Sequence, residues 1–436
     1  MLSVGAGGRA AMKKIGQIAN WAAAGAYVLA AKIIQFPGIL AEREPRFVSD
    51  ETVTPAIGNC YAIVVKYHLI GITSDFLDLL ATLRRQHVNA IVVCNGDLRP
   101  DELVTLRAFA HRILVRNNIG RDFGAYRAAT LHLASEELRP ERMIYLNDSV
   151  IYIAGPGLDS MIKALLQSDY DAVGTYENHE FAHHMGSYAF SVAGKVFADA
   201  QIRRFWRGYR PYDIRPHAIR KGELGFSQCL ERCGYRVDVI YSADKLALQL
   251  DKMSISELVA TLRYVPYGAL RGYDLGPLLK GAQRTGQMLA GNPKSKRRGE
   301  KRGKDSAILE QESRTPTISE FGRFSAETKA RLAEAEKNAS VAIQIKQETL
   351  VNHMIGTIIN GSQIHFGFGL FHRVMDSPLV KRDLLIRGIL LEHDCARILE
   401  HLTPPRREPI MRELLNRGRA VNVRGMRRFK LRNGLI

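Results

Sequence analysis

The stretch His111 to Thr130 reads HRILVRNNIGRDFGAYRAAT, with two amides, two glycines, an arginine and an aspartate directly behind an apolar run. Gly120 and Gly124 let the backbone approach a ligand closely, Asn118 offers an amide at a fixed position, and Arg121 can fork onto an anion or onto Asp122. The same spacing also suits a polar turn that caps a helix starting near Asp122, with Arg121 on the surface. Further along, YLNDS (Tyr145 to Ser149) places Asp148 behind another apolar run. A carboxylate there can hold Mg²⁺ or Mn²⁺ against a diphosphate, or simply bond its own backbone in a turn.

KGELGFSQCLERCGYRVDVIY puts Glu223 at the start of a helix. There it can favour the helix dipole by about 0.3 to 1 kcal/mol. It can equally serve as a general base, a role worth about 100- to 10,000-fold in rate. His179, His183, His184 and His217 lack the Cys/His spacing of a closed zinc site, so binding of substrate hydroxyls is the more natural chemistry for them. GAGG at Gly5 to Gly8 follows no strand and is no nucleotide loop.

These residues need elements to hold them in place. YAIVVKYH, NAIVVCNG and HRILVRN are continuous apolar runs that read as buried strands, separated by TSDFLDLLATLRRQHV and DELVTLRAFA with helical spacing. Thr73 or Ser74 is the expected N-cap of the first helix. Strand, helix, strand, helix, strand implies a parallel sheet with crossover helices. RMIYLNDSVIYI adds a strand that stops in a polar turn and restarts. DAVGTYENHEFAHHMGSYAFSVAGKVF adds two strand-like pieces around a His-rich loop, and ELGFSQCLERCGY is a helix followed by the strand RVDVIYS. In such a sheet, ligands bind at the carboxyl ends of the strands. Lys66, Asn95, the 117–122 segment, the 147–149 segment and the 177–184 segment therefore converge on one edge.

The whole chain has 436 residues, 46% of them hydrophobic, which suffices for one large domain with appendages or for two domains. Lysine and arginine total 62 against 44 acidic residues, a formal charge of +18 that suits nucleotide phosphates, anionic lipid headgroups or nucleic acid. Five cysteines without a CxxC fit a reducing, cytoplasmic compartment. Cys229 and Cys233 lie one helical turn apart, as ordinary helix residues do.

Ile18 to Leu40 is mostly apolar but is interrupted by Lys32, Gln35 and Pro37, a poor match to about 20 strongly apolar residues. It reads either as a helix packed on the protein or as an anchor in a membrane interface with Lys13, Lys14 and Lys32 at lipid phosphates. The expected organisation is an N-terminal helical segment over 1–58, an α/β domain over 59–250, a linker over 251–324 and a helical region with a basic tail over 325–436. The linker holds the basic run GNPKSKRRGEKRGKD, and Ser325 is the expected N-cap of a long helix.

NNIGRDFGAYRAA, MIYLNDSVIY, HHMGSYAFSV and GELGFSQCLERCGYRV, in this order, resemble the successive signatures of the rhamnan synthesis protein F family of bacterial polysaccharide glycosyltransferases. NGSQIHFGFGLFHRVMDSPLVKRDLL is similar to that family's tail, with its Lys-x-x-Leu-Leu ending. More distantly, the order resembles nucleotide-diphosphosugar transferases of the GT-A fold. The resemblance implies an α/β fold with a GT-A-like, Rossmann-type mixed sheet flanked by helices and an α-helical C-terminal extension. It also implies a nucleoside diphosphate sugar as donor, a polysaccharide or lipid-linked glycan as acceptor, and Mg²⁺ or Mn²⁺. Carried onto this sequence, Asn118, Gly120, Arg121, Asp122, Asn147 and Asp148 would contact the donor, with Asp148 at the metal. His183, His184, Ser187 and Tyr188 would face the acceptor or sugar, and Glu223 would be the base of an inverting transfer.

Two departures qualify it: NDS has one carboxylate where the superfamily has Asp-x-Asp, so that Lys66 or Arg121 would share the diphosphate charge, and Glu-Leu stands where an acidic pair is usual. The cysteine usage and the positive charge suit a cytoplasmic enzyme, peripheral on the inner face of the cell membrane, and the resemblance implies rhamnose or another deoxyhexose as the sugar. The alternatives are a nucleic-acid-binding protein, which has the charge but no recognised binding motif, and a non-catalytic scaffold of a polysaccharide-synthesis complex.

Overall fold

The computed structural model describes residues 6–67, 71–179, 182–266, 339–359 and 361–435. The basic run at 291–305 and the Ser325 N-cap lie outside them. The chain divides into two compact units, one comprising Met1–Ile240, Pro378–Gly388 and Pro404–Ile436, the other Tyr241–Ser377 and Ile389–Thr403.

In the first unit the apolar runs form β2 (Cys60–Lys66), β3 (Asn89–Asn95), β4 (Arg112–Arg116) and β5 (Arg142–Asn147). Val, Ile and Leu dominate them because both faces of a parallel sheet are covered. β2 pairs in parallel with β3 and β5, and β3 pairs in parallel with β4. Three antiparallel additions turn this into a mixed sheet. β1 (Ser49–Thr52) pairs with β4, β9 (Ala189–Ala193) with β5, and β7 (Ala172–Asn178) with β9. The full order is β1-β4-β3-β2-β5-β9-β7-β10, with β8 (His184–Met185) beside β7 and β10 (Val237–Tyr241) at the end. The mixed sheet that the resemblance implied is therefore the sheet that forms, with antiparallel strands on both flanks.

The crossover helices are α2 (Ser74–Arg85), α3 (Pro100–Arg107) and α4 (Arg121–Ser135), while α1 (Ala6–Ala41) precedes the sheet and α5 (Pro156–Leu166) leads into antiparallel β7. Thr73 is the N-cap of α2 by backbone conformation, without a side-chain cap bond. The core beneath the sheet edge is aromatic. Tyr145 stacks on Phe190 at 4.6 Å, and Trp206 lies against Tyr145, Phe123 and Phe226. Buried Arg127 is accommodated there because it donates to the carbonyls of Trp206, Glu42 and Arg43.

The restart after YLNDS is β6 (Val150–Tyr152). It pairs with a strand from far along the chain, β11 (Leu379–Lys381), in a two-stranded antiparallel ladder. Buried Arg382, next to β11, donates to the Asp148 carbonyl at 2.8 Å and to Asp75 Oδ2 at 2.7 Å, and its other nitrogen pairs with Glu413. The turn that carries Asp148 is thus clamped from the C-terminal part of the sequence.

Helix α1 packs Val28, Ala31 and Ile39 against Tyr212, Ile214 and Ile119, while Lys32 lies over the Tyr212 ring. Its opposite face is open: Trp21 is 75% and Ile34 78% exposed, and Ile18, Leu29, Ile33 and Leu40 are exposed too. By length and composition Gly16–Ala41 does meet the requirement of a membrane-crossing helix, against the expectation from its interruptions. A single N-terminal helix of this kind is weak evidence of a span, and here its inner face is packed on protein.

The second unit is helical over its described residues, with Ala243–Leu250, Ile255–Thr261, Ala339–Ile359, Phe368–Met375 and Glu392–Ile398. Gln347 ties the long helix to the first two by donating to the carbonyls of Asp251 and Met253.

Candidate active site

The carboxyl ends of β2, β3, β4 and β5 lie side by side, as their parallel pairing requires, and the polar segments behind them form one edge. Behind β4 the chain turns at Gly120 and enters α4. Gly120 adopts φ +78°, and a Cβ there would lie 2.1 Å from Pro211 Cβ. Packing against the 211 segment therefore requires its lack of a side chain. Arg121 follows at φ 57°, a left-handed conformation that costs a non-glycine residue about 1 to 2 kcal/mol. Asn95 holds it there by donating from Nδ2 to the Arg121 carbonyl at 3.1 Å. The Arg121 side chain turns outward to Asp213 (Nε to Oδ1, 3.5 Å).

Asp122, in the first turn of α4, faces inward. Burial pushes its carboxyl up to about 6, the negative charges of Asp148 and Glu223 push the same way, and Arg121 and Lys381 pull back. Asp148, 6% exposed at the end of β5, accepts the Tyr67 backbone N–H at 2.7 Å on Oδ2. Asn147 does not project towards a ligand. Its Oδ1 accepts from Ser149 N and Oγ and its Nδ2 donates to the Ser187 carbonyl, so it fixes the turn that aims Asp148.

Glu223 closes a π-helical turn, Ala218–Glu223, ahead of α9 (Leu224–Arg232), intervening helices being α6 (Gly194–Ala198), α7 (Ala200–Gly208) and α8 (Arg215–His217). A π-turn widens the helix and often marks a functional position. Glu223 Oε1 accepts the Ser187 hydroxyl at 2.6 Å, and Oε2 lies 3.3 Å from His184 Nε2. His184 Nδ1 donates to the Ala182 carbonyl at 2.7 Å, which makes the ring an imidazolium whenever Nε2 also carries a proton. Burial alone would raise the Glu223 carboxyl, but His184, Ser187 and Lys381 outweigh it and hold the group below the usual glutamate range.

The fourth group at this edge is Lys381, at the end of β11. Its Nζ donates to Ser149 Oγ at 2.8 Å and sits 4.9 Å above the Tyr188 ring. Burial lowers its ammonium, and Asp383, Asp122 and Glu223 pull it back up. The edge therefore carries Asp122, Asp148 and Glu223 around one lysine, an arrangement with an excess of negative charge. The oxygens of Asp122 and Asp148 are the hard ligands that Mg²⁺ or Mn²⁺ takes, and a bound cation would relieve the charge that raises Asp122.

Of the residues expected to face acceptor or sugar, His184, Ser187 and Tyr188 do lie here, held by Glu223 and beneath Lys381. His183 does not join them: its Nε2 pairs with Glu177 Oε2 at 3.0 Å on the exposed hairpin, and that bond raises its imidazole. Glu177, His179 and His183 place one ligand atom each within 4.8 Å of one another. Asn118 is exposed at the rim of a cavity of about 350 Å³ between the ends of β2, β3 and β4, beside Asn95, Asp97 and Arg99. Lys66, at the same cavity, is held by Glu102 at 3.2 Å. Lys381 and Arg382 were missed as site residues. Their one signal was the Lys-x-x-Leu-Leu ending of the tail motif, which no spacing argument could bring to Asp148.

The architecture and its charged edge define a class of α/β proteins that bind ligands at the carboxyl ends of a Rossmann-type sheet. Residues 90–261 match the family model described as Rhamnan synthesis protein F, the family that the motifs resemble. The uncharacterized protein y4gN of Sinorhizobium fredii is 25% identical over 217 residues, which are 49% of this chain and 56% of that protein. The chain thus spans little more than half the length of that curated relative. Among solved structures, a putative nucleotide-diphospho-sugar transferase from Desulfovibrio desulfuricans G20 overlaps 42% of this chain and 79% of its own at 10% identity, with a TM-score of 0.28. The mannosyltransferase PcManGT from Pyrobaculum calidifontis, in complex with GDP-Man and Mn²⁺, overlaps 77% and 98% at 12% identity, with a TM-score of 0.25. These overlaps are slight, and the fold rests on the chain's own sheet.

Proposed function

We propose that this protein is a glycosyltransferase that moves a sugar from a nucleoside diphosphate donor to a hydroxyl of a polysaccharide or lipid-linked glycan, with inversion at the anomeric carbon. The observation that carries the reading is the convergence of Asp122, Asp148, Glu223 and Lys381 on the ligand-binding edge of a sheet whose 90–261 segment matches the rhamnan synthesis protein F family model. Rhamnose or another deoxyhexose is the sugar we favour, from the family alone.

The nucleotide would lie in the cavity at Asn118 and Lys66, which brings its diphosphate towards Asp122 and Asp148. A divalent cation held by these two carboxylates would neutralise the leaving diphosphate. Lys381 supplies a fixed positive charge at the same place, so the single carboxylate of NDS is supplemented by a lysine and by Asp122 from α4. Glu223, ionised at neutral pH, takes the proton of the acceptor hydroxyl. Ser187 and His184 fix its two oxygens, and a protonated His184 stabilises the carboxylate before the proton arrives.

We also propose that the protein works at the cytoplasmic face of an anionic membrane. The open apolar face of α1 supports this, as does the helix Gly425–Arg432, whose exposed Arg427, Arg428 and Arg432 sit beside α1 through the Asn20–Asn433 bond (2.7 Å) and Lys430 over Tyr27. Calorimetry with a panel of nucleotide sugars, with and without Mg²⁺ or Mn²⁺, followed by linkage analysis of products, tests the reading. Binding of one nucleotide sugar and its turnover are expected. A salt-sensitive shift of mixed oligonucleotides, with no nucleotide sugar bound, would overturn it.

A further inference from the structure

A second cavity, of about 470 Å³, lies against α7, α9 and the π-turn, and its chemistry is the reverse of the acidic edge. Arg204, Arg210, Lys221 and Arg232 line it, no carboxylate does, and none of the four forms a salt bridge among the described residues. All four are exposed at its mouth. Its floor is made of rings, with Phe205 stacked on Tyr209 at 6.4 Å and His217 tilted against Tyr209 at 5.8 Å. Tyr209 is 5% exposed, and its hydroxyl has no hydrogen-bond partner although it is buried. An unsatisfied buried hydroxyl is costly, and a ligand oxygen in the cavity would recover that cost.

We infer that this cavity is a binding site for an organic diphosphate. Four cations without a salt bridge among the described residues match the charge of a diphosphate better than that of a single carboxylate, and arginine forks suit its oxygens. The ring floor gives the organic part an apolar surface to lie on, and the volume is that of an ordinary small-ligand pocket. The Tyr209 hydroxyl donates to the bound anion. Lys221 shares the π-turn with Glu223, so a ligand gripped here bears directly on the element that aims the base. Two sources present this chemistry, an isoprenoid diphosphate that carries a glycan and a free nucleoside diphosphate.

Calorimetry on the full chain with pyrophosphate, uridine diphosphate and farnesyl diphosphate tests the site, without any sugar donor present. None of the substituted residues lines the donor cavity, so unchanged binding by the variants counts against this site and not against the sugar-transfer reading. The comparison is with an Arg204→Gln/Arg210→Gln/Lys221→Gln variant, whose exposed substitutions leave the core intact, and with Tyr209→Phe, which keeps the ring. The triple variant is expected to bind about 100-fold more weakly and Tyr209→Phe about fivefold more weakly, from the loss of charge-assisted and single hydrogen bonds. Tightest binding of farnesyl diphosphate identifies the lipid source, and tightest binding of uridine diphosphate the nucleotide. Saturable binding that is unchanged in both variants, or no binding of any of the three, would overturn the site.

Discussion

Lys381 Nζ donates to Ser149 Oγ across 2.8 Å, joining residues 232 positions apart at the turn that carries Asp148. The contact puts a cation among three carboxylates. Lys381→Met is expected to lower kcat/KM about 100-fold, the usual cost of removing one group that stabilises developing charge. Lys381→Arg should restore part of it, and steady-state kinetics with the donor found by calorimetry will show whether it does.

Glu223→Gln should abolish turnover, by about 100-fold or more, while the donor still binds. Because the folded state holds this carboxyl below its ordinary 4.5, the base stays ionised as pH falls through the usual glutamate range. The acid limb of the kcat/KM profile attributable to it should therefore lie below about 4.5. Turnover by the Gln variant at the parent rate would remove Glu223 from the base role.

Asp122 titrates in the opposite sense. Its carboxyl is raised from 3.8 to about 6, so between these values the unfolded chain has released a proton that the folded chain keeps. Stability then falls as pH rises across that window, and the loss is complete above it. Asp122→Asn is expected to raise Tm at pH 7 in metal-free buffer and to flatten the pH dependence between 4 and 6, followed by thermal denaturation. In Mn²⁺ the variant should gain less than the parent, since it gives up a ligand. An equal gain would separate Asp122 from the cation, and an unchanged metal response of Asp148→Ala would do the same for Asp148.

Gly120→Ala should destabilise the protein by about 2 kcal/mol or more, because an L side chain fits neither the left-handed backbone nor the space held by Pro211. Chemical denaturation measures it. A loss confined to donor affinity, with stability intact, would return Gly120 to the ligand.

Vesicles containing phosphatidylglycerol should float the full chain at low salt, and neutral phosphatidylcholine vesicles should not. Arg427→Gln and Arg428→Gln should each weaken the association about fivefold, as expected for about 1 kcal/mol per cation at an anionic surface. Trp21→Asp with Ile33→Asp should abolish it. Resistance to high salt and alkaline extraction would instead indicate a spanning α1.

Much of the sheet could be read directly, because β2, β3, β4 and β5 are fully buried and so appear as unbroken Val/Ile/Leu runs. Glu223, Asp148 and Asp122 were legible because each follows a strand or opens a helix. The strand at Leu379–Lys381 was not, since three residues carry no periodicity and its partner Val150–Tyr152 is equally short. The packing need at Gly120 was not legible, as a glycine needed by Pro211 and one needed by a ligand look alike in sequence. Arg121 was left between diphosphate and Asp122, and the partner it has here, Asp213, stands in a segment with no pattern of its own.

The β6–β11 ladder has a consequence for the order of synthesis. The turn that holds Asp148 is complete only when residues 379–382 have left the ribosome, more than two hundred residues after the strand that begins it. Until then β6 lacks the ladder partner it has among the described residues, and the Asp148 turn lacks the Arg382 clamp. A fragment ending near residue 261 would therefore emerge with its sheet strands but an unsupported Asp148 turn, and supplying the missing C-terminal piece as a separate chain should restore it.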